Sequence, residues 1–252
     1  MTADRFGPFG RAPGRAGLFL DFDGTLADIT NDPHGAVPRR GVPELLVALS
    51  RRLRRVVVVS GRPLAYLSRL IPAEVDLVGL YGLEWRTDGA AHTLDAAEPW
   101  RDVIEELSKR AVAEFGREVV EPKGLSLTLH YRNDPDLEGP MRRWVDDQAE
   151  RTGVDGRAAK RSFELHPPIP CDKGTAMLER ADGLDAVAYM GDDLGDLPAF
   201  DGLDRLSADG VAVLRVTVSS PEVPPILVTR ADLVVDGPAG CLLYTSPSPR
   251  DL

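Results

Sequence analysis

Two cysteines and four histidines are all that this chain of 252 residues contains. Cys171 and Cys241 can form at most one disulfide, and neither they nor the scattered histidines have a metal-binding spacing. A disulfide-framed fold and a thiolate or imidazole metal site are thereby excluded. Positive charge is also short: 30 Lys and Arg stand against 40 Asp and Glu, a net charge of −10. A general electrostatic grip on nucleic acid or anionic lipid needs clustered basic residues, so neither partner is expected. An anionic substrate would have to find positive charge locally, from a metal ion or from a few placed basic side chains. Long apolar runs are absent too, since no segment approaches the ~18 residues of a membrane helix. The first residues, MTADRFGPFGRAPGRAG, lack the continuous apolar stretch of a leader. A cytoplasmic monomer is the expectation.

What remains is ample for a core, because the chain is 43% hydrophobic and long enough for one sizeable domain or two modest ones. LFLDFD (18–23) reads as a short buried strand, VPELLVALSRRL (42–53) as a helix with Pro43 in its first turn, and RVVVVSG as a second strand. PLAYLSRLI then suits a helix and VDLVGLYG a third strand. Alternating strands and helices of this kind predict a parallel sheet covered by helices. The pattern breaks at about 84–166, where Trp100, Val103, Ile104, Leu107 and Ala111 mark one amphipathic helix and Met141, Trp144, Val145 and Ala149 another. Between them EVVEPKGLSLTLHYR predicts a hairpin turning at Pro122-Lys123-Gly124. Its second arm alternates Leu125, Leu127, Leu129 and Tyr131 with Ser126, Thr128, His130 and Arg132, and RSFELH (161–166) alternates likewise. One sheet face is apolar and the other polar. After the stiff PPIP connector the first pattern resumes: KGTAMLERA as a helix, DAVAYMGDD as a strand, GDLPAFDGL as a loop and short helix, then VAVLRV and ADLVVDGPAG as strands. The expected organisation is a flexible N-terminus (1–17), a core domain (18–83 and 167–240) and an inserted α+β domain (84–166). CLLYTSPSPRDL (241–252) departs abruptly from what precedes it and is expected to be a non-native read-through tail.

Three core strands end in polar groups: Asp21 and Asp23, then Ser60-Gly61-Arg62, then Gly191-Asp192-Asp193. Parallel strands put such ends at one sheet edge, and Lys173, at the start of a predicted helix, can join them. Carboxylates gathered at the end of an apolar strand need a counter-charge, and a hard cation such as Mg²⁺ prefers oxygen ligands of this kind. Each piece also has a bland reading. Asp23-Gly24 can be an ordinary turn with Thr25 opening a helix, Ser60-Gly61 a strand-ending loop, Lys173 a solvated helix residue, and GDDLGD an acidic surface turn or an incomplete calcium loop.

Taken together, DFDGTLAD, VVVVSGRP, CDKGTA and GDDLGD resemble the four signatures of haloacid-dehalogenase (HAD) phosphatases, in the order that superfamily has them. The resemblance implies a Rossmann-like HAD core with an inserted C2-type cap. It also implies Asp21 as the nucleophile, Asp23 as general acid and base, Ser60 and Lys173 as phosphate-binding groups, and Gly61 and Arg62 beside them. Mg²⁺ would be held by Asp21, Asp192 and the main chain of Asp23, with Asp193 and Asp196 as supporting acids. YGLEWR, EPKGLSLTLHYR, FELHPP and GDDLGDLPAF further resemble segments of the trehalose-6-phosphate phosphatase family. That resemblance implies a sugar-phosphate substrate, with Glu84, Lys123 and Glu164, and also His130 and Arg132, contacting the sugar. It implies one more helix after GPAG, where the suspect tail stands. Other readings are the same chemistry on sucrose phosphate, a receiver-type signalling domain that stops at a phosphoaspartate, and a non-catalytic sugar-phosphate sensor. A receiver has no use for an acid two residues after its phosphoacceptor, and the intact acid pair speaks against a sensor.

Overall fold

Five consecutive buried residues, AGLFL, form the strand around which the larger unit is built. The computed structural model describes residues 5–30, 35–159 and 161–240. A short helix, α1 (Gly7–Arg11), precedes β1 (Ala16–Leu20), so part of the segment expected to be loose is ordered. α2 (Val42–Ser50), β2 (Arg55–Val59), α3 (Leu64–Leu70) and β3 (Asp76–Gly79) follow as the alternation predicts. β4 (Glu84–Thr87) and β5 (Ala90–Thr93) complete the first stretch. The chain then passes through α4 (Arg101–Phe115), β6 (Val120–Pro122), β7 (Leu127–His130), α5 (Glu138–Thr152), β8 (Asp155–Ala159) and β9 (Ser162–His166). It returns with α6 (Lys173–Leu178), β10 (Ala186–Gly191), α7 (Leu197–Ala208), β11 (Ala212–Ser219), α8 (Pro225–Arg230) and β12 (Leu233–Asp236).

The larger unit comprises residues up to Thr30, Ala36–Ala91 and those from Cys171 onward. Its eight-stranded sheet has the order β12-β11-β10-β1-β2-β3-β4-β5. β1 lies between β2 and β10, and all three run parallel. The alternating faces of β1 and β2 feed two separate cores. Leu18, Leu20, Val56 and Val58 pack on one side, and Phe19, Val57 and Val59 on the other with Met177, Tyr189, Phe200 and Leu203. β4 runs antiparallel to β3, pairing Glu84 with Gly79. The boundary expected at 84 therefore moves to 91, because EWRT extends the core sheet and does not begin the insert.

The smaller unit holds His92–Pro170, and its four-stranded sheet has the order β6-β7-β9-β8 with every neighbour antiparallel. Ile104, Leu107 and Ala111 of α4 and Met141 and Val145 of α5 pack on Leu127, Leu129, Phe163 and Leu165. That apolar face is the one the alternation predicts. β8 was not expected, since DGRAA has no apolar alternation; it is held by a full ladder to β9. α7 is a twelve-residue helix where a loop and short helix were expected, with Pro198 in its first turn. The suspected tail, 241–252, lies outside the described residues.

Candidate active site

β1 ends at Leu20, and the next residue continues its ladder: the Asp21 amide donates to the Met190 carbonyl at 2.9 Å. Asp21 thus sits at the sheet edge beside the end of β10, where Asp192 follows Gly191. On the other side the Ser60 amide donates to the Val78 carbonyl at 2.9 Å, so Ser60 extends β2 toward the same edge. Neighbouring strand ends therefore bring Asp21, Ser60 and Asp192 together across a large gap in sequence. All three side chains are buried.

Lys173 reaches the site from the first position of α6. Asp172 caps that helix by accepting from the Thr175 amide at 2.7 Å, while the Thr175 hydroxyl accepts from the Asp172 amide at 2.9 Å. Gly174 lets α6 lie directly on α7, because a Cβ there would enter the Pro198 carbonyl. The buried ammonium donates to Asp21 Oδ1 at 2.6 Å and to Asp196 Oδ1 at 2.7 Å. Asp196 is fully used: the Tyr189 hydroxyl also donates to Oδ1 at 2.7 Å, and the Asp192 and Asp193 amides donate to Oδ2 at 2.9 and 3.0 Å. It therefore holds Lys173 and shapes the GDDLGD loop. Asp193 turns its carboxylate to the Gly195 amide at 2.9 Å and caps the following helical turn.

The electrostatics follow from burial. Desolvation pushes the Asp21 carboxyl well above the ordinary range, with Asp196, Asp192 and Asp193 adding to the rise and Lys173 opposing it. Burial works against the Lys173 charge, yet Asp196 and Asp21 outweigh it and hold that group well above the usual lysine value. Burial also raises the Tyr189 phenol, with Asp196 next in effect. Carboxylate oxygens of Asp21, Asp192 and Asp196 all lie within 4.8 Å of one another, and since Asp196 is committed to Lys173 and the loop amides, Asp21 and Asp192 are the two left to hold a cation. An all-oxygen, acid-rich donor set of this kind fits a hard divalent cation. Gly24 supports the fit: at φ +84° it adopts a conformation open to glycine, and a Cβ there would lie inside the Asp192 carboxylate.

Asp23 is placed differently from what its neighbours suggest. Arg62 grips it in a fork, Nε to Oδ2 at 2.9 Å and Nη2 to Oδ1 at 2.7 Å, while the guanidinium lies 4.7 Å from the centre of the Tyr66 ring. Ser60 Oγ accepts from the Arg62 amide at 3.1 Å. Gly61 is covered by Tyr81, whose hydroxyl a Cβ at 61 would meet at 2.5 Å. Leu80 and Tyr81 both have positive φ, 48° and 59°, so this covering segment is held in a strained left-handed turn.

The residues expected to read a sugar fall in two places. Glu84 lies in the larger unit, where its carboxylate accepts from the Leu64 amide at 2.8 Å and caps α3. Lys123 and Glu164 meet in the smaller unit at 3.6 Å. His130 Nε2 lies 2.9 Å from Glu121 Oε2, and Arg132 is in the turn beyond β7. Tyr189 and Glu121 were missed in the sequence reading. The signal for Tyr189 is a hydroxyl in an otherwise apolar strand; for Glu121 it is the acid two residues before Lys123 on the polar face.

Comparison with known proteins shows what the chain as a whole is similar to. A trehalose-phosphate phosphatase from Mycobacterium avium is 32% identical over 227 residues, covering 85% of this chain and 57% of the relative. The chain thus spans little more than half the length of the mycobacterial trehalose-phosphate phosphatases it matches. In fold it is similar to a trehalose-6-phosphate phosphatase related protein, with TM-score 0.77 at 22% identity, covering 91% of this chain and 95% of the other. It is also similar to the C-terminal domain of the C. albicans trehalose-6-phosphate phosphatase, with TM-score 0.75, 24% identity and 96% coverage of both. The sequence profile of trehalose-phosphatase matches residues 19–227, a span that takes in every residue of the cluster around Lys173, and the chain belongs to that family.

Proposed function

We propose that this chain hydrolyses trehalose 6-phosphate to trehalose and inorganic phosphate through an aspartyl-phosphate, with Mg²⁺ bound at the acid cluster. The observation that carries the reading is Lys173, buried between Asp21 and Asp196. A buried carboxylate with one oxygen fixed on an ammonium is oriented for in-line attack, and its remaining oxygen is available to phosphorus. Asp21 attacks, the ester bond to the sugar breaks, and Asp23 protonates the departing alkoxide. Asp23 then takes a proton from the water that hydrolyses the phosphoenzyme. The Ser60 hydroxyl and the Gly61 amide donate to phosphoryl oxygens, and Lys173 offsets the charge gathered there. Arg62 holds both Asp23 oxygens before substrate arrives, and one of them must be released for Asp23 to carry the proton. Bound through Asp21, Asp192 and the Asp23 main chain, the cation would supply Lewis-acid polarisation of the phosphoryl group. Lys123 and Glu164 recognise sugar hydroxyls, which donate as well as accept, and Glu84 maintains the start of α3.

The test is phosphate release from trehalose 6-phosphate, sucrose 6-phosphate, glucose 6-phosphate and p-nitrophenyl phosphate, with and without Mg²⁺. Trehalose 6-phosphate should give the highest kcat/KM, activity should require the cation, and Asp21→Asn should release none. Turnover in that variant would remove the nucleophile assignment. A preference for sucrose phosphate would reassign the substrate while leaving the chemistry in place.

A further inference from the structure

The polar face of the small sheet carries two groups that the reaction above leaves unused. Strand register sets Glu121, Thr128, Glu164 and Arg157 directly beside one another, in one row across β6, β7, β9 and β8. His166 is two residues beyond Glu164 on β9 and shares its face. Thr128 is 4% exposed and His166 3%. Neither the Thr128 hydroxyl nor His166 Nε2 has a hydrogen-bond partner. Buried polar atoms are paired in the great majority of cases, so two unpaired ones on one face call for an explanation.

The chemistry of the face defines what would pair them. His166 Nδ1 lies 2.7 Å from the Pro167 carbonyl, which can only accept, so Nδ1 carries the proton. Burial, and then Arg157, lowers the ring's pKa and keeps it neutral. Nε2 is therefore a bare acceptor that needs a donor. The Thr128 hydroxyl stands between two carboxylates, and Lys123 Nζ lies 3.8 Å from one and 3.6 Å from the other. The Ser126 hydroxyl donates to Glu164 Oε1 at 3.1 Å. Acceptors thus predominate, with one ammonium and one uncommitted hydroxyl among them. A phosphate would be repelled by the two carboxylates and offers Nε2 little to accept. A ring bearing several hydroxyls, each donor and acceptor, matches the face throughout.

We propose that Thr128 and His166 are specificity-determining residues that hydrogen-bond the hydroxyls of the substrate's sugar. This rests on the reading of the chain as a sugar-phosphate phosphatase and extends it to two residues with no other assigned role. Each group completes its hydrogen bonding when the sugar arrives, so the face rewards a polyhydroxylated ester over a small one.

The decisive variant is Thr128→Val, which keeps shape and removes the hydroxyl. The ratio of kcat/KM for trehalose 6-phosphate over p-nitrophenyl phosphate should fall about tenfold, the upper end of the net effect of one hydrogen bond. The Tm of the free protein should hold or rise, because a buried hydroxyl with no partner contributes nothing to the free fold. His166→Leu should lower the ratio similarly, and His166→Gln, which retains an acceptor, should restore most of it. A lower Tm for Thr128→Val with an unchanged ratio would make the hydroxyl structural and overturn the proposal. A wild-type preference for the sugar ester that survives both Thr128→Val and His166→Leu would overturn it alone. A wild-type protein with no preference for any sugar phosphate would overturn both this proposal and the substrate reading beneath it.

Discussion

Replacing Lys173 by methionine removes an ammonium while nearly preserving the volume of the side chain. Asp21 and Asp196 would then face each other at 4% and 0% exposure with no cation between them. Removing one partner of a buried ion pair costs about 3–5 kcal/mol, because the remaining charge stays desolvated. An exposed pair would lose only about 0–1 kcal/mol. The two regimes differ enough for ordinary urea denaturation at pH 7 to separate them. With an m-value of about 2 kcal/mol/M, unchanged by the substitution, the midpoint should drop by ~1.5–2.5 M. The double variant Lys173→Met/Asp196→Asn should recover about half of the loss, since one stranded charge leaves with its partner. A loss under about 1 kcal/mol in the single variant would refute the reasoning, for it would mean that the ammonium is solvated and the acids are not held by it.

Four further outcomes are expected. Gly174→Ala should cost about 3 kcal/mol in chemical denaturation, because the new methyl meets the Pro198 carbonyl. Gly202→Ala should cost less, about 1 kcal/mol, since its Cβ meets the movable end of Met177 at 2.7 Å and the Leu178 side chain at 3.3 Å, with no backbone atom closer than 3.6 Å. Gly24→Ala should lose at least about tenfold in phosphate release, because the Cβ displaces Asp192 and left-handed backbone penalises a side chain by ~1–2 kcal/mol. Burial, with Arg157 next in effect, lowers the pKa of His166 below its ordinary 6.5, against the opposing influence of Glu164 and Asp155. The unfolded chain therefore binds the proton more readily in the window just below that value. Stability from the neutral ring is present above about pH 6.5 and is lost as the pH falls through the folded value. Thermal melts from pH 7 to pH 5 should show a steeper decline in the wild type than in His166→Gln; parallel declines would show that the ring is not desolvated.

Much of the site was legible in the sequence because its groups sit where strands end. Asp21, Ser60 and Asp192 each follow a run of apolar residues, and parallel pairing through β1 carries those ends to one edge. Lys173 was legible as the start of the predicted helix KGTAMLERA, and the structure adds the Asp172–Thr175 capping that fixes its position. Glu84 was placed in the insert because the turn at Leu80–Gly82 separates EWRT from the strand before it, and only pairing with Gly79 reveals which sheet it joins. β8 was missed because an edge strand can be held by backbone ladders alone, leaving no apolar pattern to find. α7 was read short because Pro198 and Gly202 look like breakers. Proline is at home in a first helical turn, and the glycine makes room for Met177 of α6.

The position of β1 has a consequence for how the protein comes into being. Ala16 pairs with Ala186, and between these two strands the ribosome must deliver the whole of the smaller unit. The segment that carries Asp21 leaves the ribosome well before its second neighbour, with Lys173, Asp192 and Asp196. Such distant pairing is slow to nucleate, since a long loop must close before it is rewarded. A nascent or truncated chain without α6 and β10 thus holds Asp21 with no ammonium to orient it, and the proposed chemistry waits until both have docked.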